Sequence, residues 1–263
     1  MPNLKWYWHR LRAMGPSELA LRLRKKFFEF SDSNPTKWPD LNLEPSAYPE
    51  LPSVFKAADS LREAVKNDAS RISSGKIRFF GHLDIKVDSP PLWSRDYQAG
   101  IDVPTDKDSF KLDHRELPFG AAIKPLWEPS RWYGPVRLAQ ACWLDSNKKY
   151  GELAIEWLED WVEKNPPYFG WHWTSALESG MRLIAFTWID AFITAFESEA
   201  VGVFGERLTK LRQKILVPHV WFTWRHRSFG SSANNHLLGE LSGLAIAISR
   251  WPNLSKYGPT LER

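Results

Sequence analysis

A single cysteine in 263 residues leaves no partner for an intrachain disulfide and no thiolate set for a metal ion. Cys142 lies in the apolar run 138–144, the setting of a buried and inert thiol. No apolar stretch reaches the length of a membrane span. The opening Met1-Pro2-Asn3-Leu4-Lys5-Trp6 has neither a continuous apolar segment nor a small-residue cleavage site. The expectation is therefore a soluble chain, cytoplasmic as written, or periplasmic if the true start lies upstream. A glycine-rich phosphate loop, a Gly-x-Ser-x-Gly elbow and a His-Glu-x-x-His helix are all missing. So are zinc-finger spacing, an RNP-like strand and a run of heptads, which argues against nucleic acid as partner.

Tryptophan is abundant instead. Fifteen indoles are several times an ordinary share, and two uses compete for them: large buried area in the core, or exposed rings for stacking on sugars. Charge is unevenly spread. The chain carries a formal +4, yet residues 1–30 hold seven cationic side chains against Glu18 and Glu29, a net of +5. A basic leading segment attracts an acidic glycan, an anionic surface or nucleic acid, or is simply a solvated helix face.

Residues 1–30 read as helix punctuated at Gly15-Pro16, with Ser17 as N-cap for a helix from Glu18 to Phe30. A proline-rich connector follows (Pro35, Pro39, Pro45, Pro49, Pro52), and residues 53–72 read as helix. Residues 76–80 and 83–87 flank Gly81-His82 as a short hairpin. Residues 88–120 are polar and lack a period, as in a long surface excursion. From about Ile123 the pattern predicts helices near 129–145, 148–164, 174–198, 203–227 and 233–250, joined by short breaks. Apolar residues cover more of these helices than one stripe requires, so consecutive helices should pack as antiparallel hairpins in a curved array. The fold class expected is mainly α, with a leading region over 1–120 and helical hairpins over 121–263.

Two segments carry the chemistry. In Ser231-Ser232-Ala233-Asn234-Asn235-His236-Leu237 a serine or Asn234 can cap the following helix, a role worth roughly 1 kcal/mol. Asn235 and His236 then fall in the first turn, where unpaired N–H groups favour an anion. An amide and an imidazole donor there suit a carboxylate clamp. In Trp171-His172-Trp173-Thr174-Ser175-Ala176-Leu177-Glu178-Ser179-Gly180-Met181-Arg182 the indoles beside His172 read either as a stacking platform or as a hydrophobic staple. Glu178 and Arg182, at i and i+4, read as a local ion pair or as an arginine held toward an acidic substrate. Glu128 and Arg131, beside Trp127 and Trp132, offer a third wall of the same cleft. Asp190 with Glu178, or Asp160 with Glu240, are carboxylate pairs of glycosidase type, and spacing selects neither.

Residues 173–182 and 232–240, with Ile123-Lys124-Pro125-Leu126-Trp127-Glu128-Pro129-Ser130-Arg131, resemble the N-terminal helical domain of the heparinase II/III family of polysaccharide lyases. The resemblance implies an (α/α) toroid followed by a C-terminal β-sandwich, and β-elimination at a uronic acid. It implies that Asn235 and His236 neutralise the uronate carboxylate; beside that pair, the residues read above as lining the substrate are Trp171, His172, Trp173, Glu178, Arg182, Glu128 and Arg131. A tyrosine expected several tens of residues past the Asn-His pair has no counterpart, and Tyr257 is too close to Asn235 to serve. The toroid is thus expected incomplete, the sandwich absent, and activity of residues 1–263 weak or nil. No cofactor is expected in this chain; the family's structural metal would belong to the C-terminal domain. The partner is an acidic polysaccharide. The alternative is a non-catalytic module that binds acidic glycan for a surface or exopolysaccharide pathway.

Overall fold

The computed structural model describes residues 15–33, 38, 40–199, 202–229 and 233–258. The helix expected before Gly15, and Ser231 and Ser232, lie outside the described residues. Pro16 opens α1 (Pro16–Asp32), with Gly15 rather than Ser17 at the N-cap. A proline at the first helical position costs no hydrogen bond, so the helix begins earlier than the serine signal implies. At its other end Asp32 is buried and accepts from Trp221 Nε1 (3.3 Å), Arg225 Nε (3.0 Å) and His226 Nε2 (2.8 Å). Burial alone would raise its pKa; the His226 and Arg225 hydrogen bonds overcome that and hold the carboxyl below its usual range.

The connector leads through a 3-10 turn (Val54–Lys56) into α2 (Asp59–Ser73). Strands β1 (Lys76–Phe79) and β2 (Leu83–Lys86) form the expected hairpin, with Phe79 opposite Leu83. The polar excursion contains only the two-residue strands β3 (Arg95–Asp96) and β4 (Ile101–Asp102) and short 3-10 turns.

The helical part comprises α3 (Ile123–Ser130), α4 (Tyr133–Asp145), α5 (Lys148–Lys164), α6 (Ala176–Glu199), α7 (Gly205–Arg225) and α8 (Asn235–Arg250). Where one helix over 129–145 is expected, two are found. Trp132 adopts a left-handed backbone (φ 61°), sparsely populated for a residue with a side chain, and so turns the chain between α3 and α4. Its fully buried indole, packed edge-on against Trp161 at 5.0 Å, holds that turn.

Side-chain pairings fix the helix directions. Along α6 and α8 the partners rise together: Leu177 meets Gly239, Gly180 meets Gly243, and Asp190 holds Arg250. Along α4 and α6 they also rise together, from Arg131–Glu178 to the stacked rings of Trp143 and Phe192. Helix α5 runs back against α4, with Gly151 at Cys142 and Trp157 at Gly134. Helix α7 runs back against α6, with His219 at Arg182 and Arg212 at Asp190. One layer of parallel helices (α4, α6, α8) is thus backed by a second (α5, α7) of opposite direction, and α5 and α7 also touch. The N-terminal ends of α4, α6 and α8 all open on one rim.

Most of the tryptophan excess goes into packing. Trp132, Trp157, Trp161, Trp173 and Trp251 are among the largest fully buried side chains, and they fill the space between the two layers. Five rings of that size bury enough apolar area to dominate the core.

Candidate functional site

On the rim, the turn before α6, the end of α7, the 109–115 segment and α1 enclose a cleft of about 440 Å³. Its lining mixes cations (Lys25, Lys111, Arg115), imidazoles (His114, His226), rings (Phe110, Phe222) and two acids, Glu29 and Asp113. A larger hollow of about 610 Å³ opens at the opposite end, around Arg62, Lys66, Asp145 and Asn147. It includes none of the residues singled out from the sequence, and its Arg62 is committed to the Leu144 (2.8 Å) and Val54 carbonyls. The rim cleft is the better candidate.

Of the expected site residues Trp173 alone lines this cleft, while three others, Arg131, Glu178 and Glu128, come together outside its lining. Arg131 donates to both oxygens of Glu178 (Nε 2.8 Å, Nη2 2.7 Å) and to Glu128 Oε2 at 3.3 Å. Glu128 Oε1 in turn accepts the Phe80 N–H of the hairpin at 2.8 Å. The bidentate bond to Glu178 raises the Arg131 pKa, so this guanidinium is a neutralised strut. The expected Glu178–Arg182 pair does not form. Glu178 turns to Arg131, which comes from the α3–α4 link, while Arg182 points inward from one turn further along α6.

The stacking expectation for Trp171 and Trp173 is corrected. They form a 3-10 turn just before α6, with the rings 4% and 1% exposed. Their N–H groups are bound to the carbonyls of Pro104 (2.7 Å) and Asn165 (3.2 Å). His172 is buried with them and donates from Nε2 to the Trp93 carbonyl at 2.8 Å. Arg182 lies over Trp161 and Trp173, its Cζ 5.0 and 5.5 Å from the ring centres. It donates to the His172 carbonyl (2.7 Å) and to His219 Nε2 (2.9 Å). Burial lowers its pKa to about 9, which leaves it charged at neutral pH.

Hydrogen bonding fixes the His219 tautomer, and burial beside the Arg182 charge keeps both imidazoles neutral. His219 Nδ1 bonds the Ile215 carbonyl at 2.7 Å, so Nε2 must accept from Arg182. A second proton on that ring would face a guanidinium N–H. Burial, reinforced by the Arg182 charge, holds His172 down to about 3 and His219 well below its usual range. Both folded values lie under the unfolded value near 6.5. Their contribution to stability is therefore complete above about pH 6.5 and is lost as pH falls. Urea unfolding at about pH 7.5, 6 and 5 should show a declining midpoint, with unfolding taking up nearly two protons. His219→Gln should remove about one of the two. A midpoint unchanged across that range would show that the rings titrate normally.

Asn235 and His236 stand where the sequence places them, in the first turn of α8, and both are exposed. Among the described residues neither side chain has a hydrogen-bond partner, and Asn234 caps the helix without a side-chain bond. The charge of His236 reaches His114, a residue the sequence reading does not single out. Burial lowers the His114 pKa, and the charges of Arg115, His236 and Lys25 lower it further against Asp113. His114 also packs against Trp127, ring centres 5.6 Å apart. The signal for it is faint: a His-Arg pair in a long aperiodic connection, the kind of segment that carries function on a rigid scaffold. Tyr133, the first residue of α4, also stands exposed beside Arg131.

The imagined glycosidase pairs are committed elsewhere. Asp190 is held by Arg212 and Arg250, and Glu178 by Arg131. Glu240 accepts Ser228 N–H and Oγ at 2.7 Å each, and Asp160 accepts from Trp93 and Lys164. Among the described residues no three metal-ligating side chains gather, and no helix is long and apolar enough to cross a membrane. No family model, curated protein or solved structure matches the chain.

Proposed function

We propose that this chain is an acidic-polysaccharide domain of lyase type, with Asn235 and His236 as the donors that neutralise a uronate carboxylate. The observation that carries the reading is the pair itself: two exposed donors on the first turn of α8, with the charge of His236 reaching His114 in the cationic cleft. Helix N-termini favour anions, and α4, α6 and α8 all present theirs on that rim. The alternation of parallel helices in one layer with returning helices in the other is how an arc of an (α/α) toroid is built. Glu29 and Asp113 supply acceptors for sugar hydroxyls.

In such a reaction the carboxylate, once neutralised, makes the C5 proton acidic. A base takes that proton, the C4–O bond breaks as C4=C5 forms, and the departing oxygen takes up a proton. His114, kept neutral by burial and by its cationic neighbours, is the group in this cleft suited to take the C5 proton. Asn235 and His236 act on the charge that develops as the enolate forms, where loss of one donor costs about 3 kcal/mol, or roughly a hundredfold in rate.

The test is titration of the chain with oligouronates, paired with ultraviolet absorbance of the unsaturated product. Asn235→Ala and His236→Ala should weaken binding by about tenfold or more. Any product formation should drop by about a hundredfold. The unfolding midpoint should barely move, because both side chains are exposed. Binding without product in the unaltered chain would favour a glycan-binding module, with His114 as a ligand only. Reducing ends without the double bond would mean hydrolysis, and no binding at all would sink the reading.

A further inference from the structure

Beside the cleft, the segment leaving α7 carries Arg227, Ser228 and Phe229, and α1 brings Arg24 against it. The Cζ of Arg227 lies 3.7 Å from the Trp224 ring centre and 5.0 Å from that of Phe229. The Cζ of Arg24 lies 5.2 Å from the same Phe229 ring and 5.3 Å from Phe28. Two guanidiniums therefore converge on one phenyl ring that is itself 38% exposed. Among the described residues neither makes an ion pair, although nearby Lys25 and Lys26 both do, with Glu29. Glu240 is the acid whose charge reaches Arg227, but both its oxygens are taken up by Ser228.

Like charges gathered this way repel unless an anion joins them. The cost shows in Arg227, whose pKa is lowered by burial and then by the charge of Arg24. The aromatic faces offset part of it, since cation–π contacts stabilise a guanidinium most where water is scarce.

We propose that Arg24 and Arg227, gathered around Phe229, form a second subsite that takes the acidic group of another sugar along the same polymer, away from the residue held at Asn235 and His236. This rests on the acidic-glycan reading and extends it: the domain reads a run of acidic residues. The two places adjoin in the chain, since Phe229 leads through a short connection into the α8 first turn, and α1 contributes Lys25 to the cleft as well as Arg24 to the cluster. A sugar polymer fits better than a nucleic acid. Glu29 and Asp113 in the adjoining cleft would repel a continuous phosphate backbone but accept hydroxyl hydrogen bonds.

The experiment is calorimetric titration of the full chain with di- and octasaccharides of alginate and of heparin over a range of salt. Arg24→Gln and Arg227→Gln should each weaken octasaccharide binding by about five- to tenfold. Each should also make its salt dependence shallower by about one released ion. Disaccharide binding should stay unchanged, whereas Asn235→Ala should weaken both lengths. Arg24→Lys and Arg227→Lys, which keep the charge, should recover part of the loss and guard against misfolding.

An octasaccharide affinity unaltered in both glutamine variants would overturn the subsite, and so would an equal loss for both lengths. Tighter binding of single-stranded DNA through the same arginines would overturn its assignment to a glycan. If the unaltered chain binds neither saccharide series, the functional reading fails on its own. The arginine Nε–H resonances under titration with inorganic sulfate then decide the anion site: shifts at both arginines sustain it, and their absence removes it.

Discussion

Asp190→Ala is expected to lower stability by roughly 3–5 kcal/mol, the range for breaking a buried ion cluster by removing one member. Asp190 is fully buried in the middle of α6. Its Oδ2 accepts from Arg212 Nε at 2.6 Å and its Oδ1 from Arg250 Nε at 2.7 Å. Arg250 also donates to the Tyr48 carbonyl at 2.6 Å, so one carboxylate ties α6, α7, α8 and the proline-rich connector together. With the carboxylate gone, two poorly solvated guanidiniums face each other across a void, and Thr194 Oγ1 (3.3 and 3.5 Å from the two) cannot neutralise either. Asp190→Asn keeps the shape and one acceptor, and should cost less. Replacing Asp190, Arg212 and Arg250 together by apolar residues of similar volume should cost less than Asp190→Ala alone, because the penalty lies in the stranded charges. Denaturant titration of the three variants tests the order; Asp190→Ala within about 1 kcal/mol of the parent would contradict it. Asp190 sits about 18 Å along α6 from Glu178. Below the unfolding transition, saccharide binding at the rim should therefore survive the substitution.

That cluster marks where the sequence stops being informative. Helical period and breakers place α5 over residues 148–164, where it is found, and come within two residues at each end for α6, α7 and α8. Those signals are local, set by i, i+3 and i+4 spacing and by turn residues. The partners of the charged groups are not local. Glu178 has Arg182 one turn away, yet it reaches a guanidinium 47 positions earlier, because bidentate geometry to Arg131 is available only once α3 and α6 are side by side. Trp171 and Trp173 resemble a platform because indoles at a helix mouth look the same whether the preceding turn opens outward or tucks under. Here a 3-10 turn with two carbonyl anchors tucks them under. Trp132 in a left-handed turn runs against residue preference, and tertiary packing decides it.

The rim is legible in part. Asn235 and His236 fall on the first turn of α8, as the capping pattern ahead of Leu237 implies. Their surroundings do not follow from that pattern. His114, Lys111 and Arg115 sit in a connection with no period, and Arg24 arrives from a helix more than two hundred residues away in sequence. Charge composition reports that the leading segment is basic. Only the docking of α1 through Asp32 shows where its Arg24 and Lys25 are directed.

Gly243→Ala tests whether the closeness of α6 and α8 builds that rim. A methyl on Gly243 would lie 2.3 Å from the Gly180 carbonyl oxygen and 2.7 Å from the Gly180 Cα. Both obstacles are backbone of a packed helix, so neither can swing aside, and the helices must part by about 1 Å to reach ordinary contact. Alanine gains about 1 kcal/mol over glycine in a helix interior, but overpacking at this depth outweighs it, for an expected net loss of about 3 kcal/mol. For a chain of this size that lowers the thermal midpoint by roughly 6–12 °C. Neighbouring glycines set the scale. Gly180→Ala meets Glu240 Cα at 3.0 Å and Gly239 O at 3.1 Å, and should cost less. Gly239→Ala meets only the Leu177 Cδ1 tip at 2.6 Å, a group that can rotate away, and should cost least. Thermal unfolding of the three variants should rank them in that order, and a Gly243→Ala protein as stable as Gly239→Ala would refute the close crossing. Asn235 lies two turns up α8, about 12 Å from Gly243. A helix pushed off α6 carries its first turn away from His114. Gly243→Ala should thus weaken saccharide binding even where it remains folded, whereas Asp190→Ala, acting at the far end of the same interface, should not.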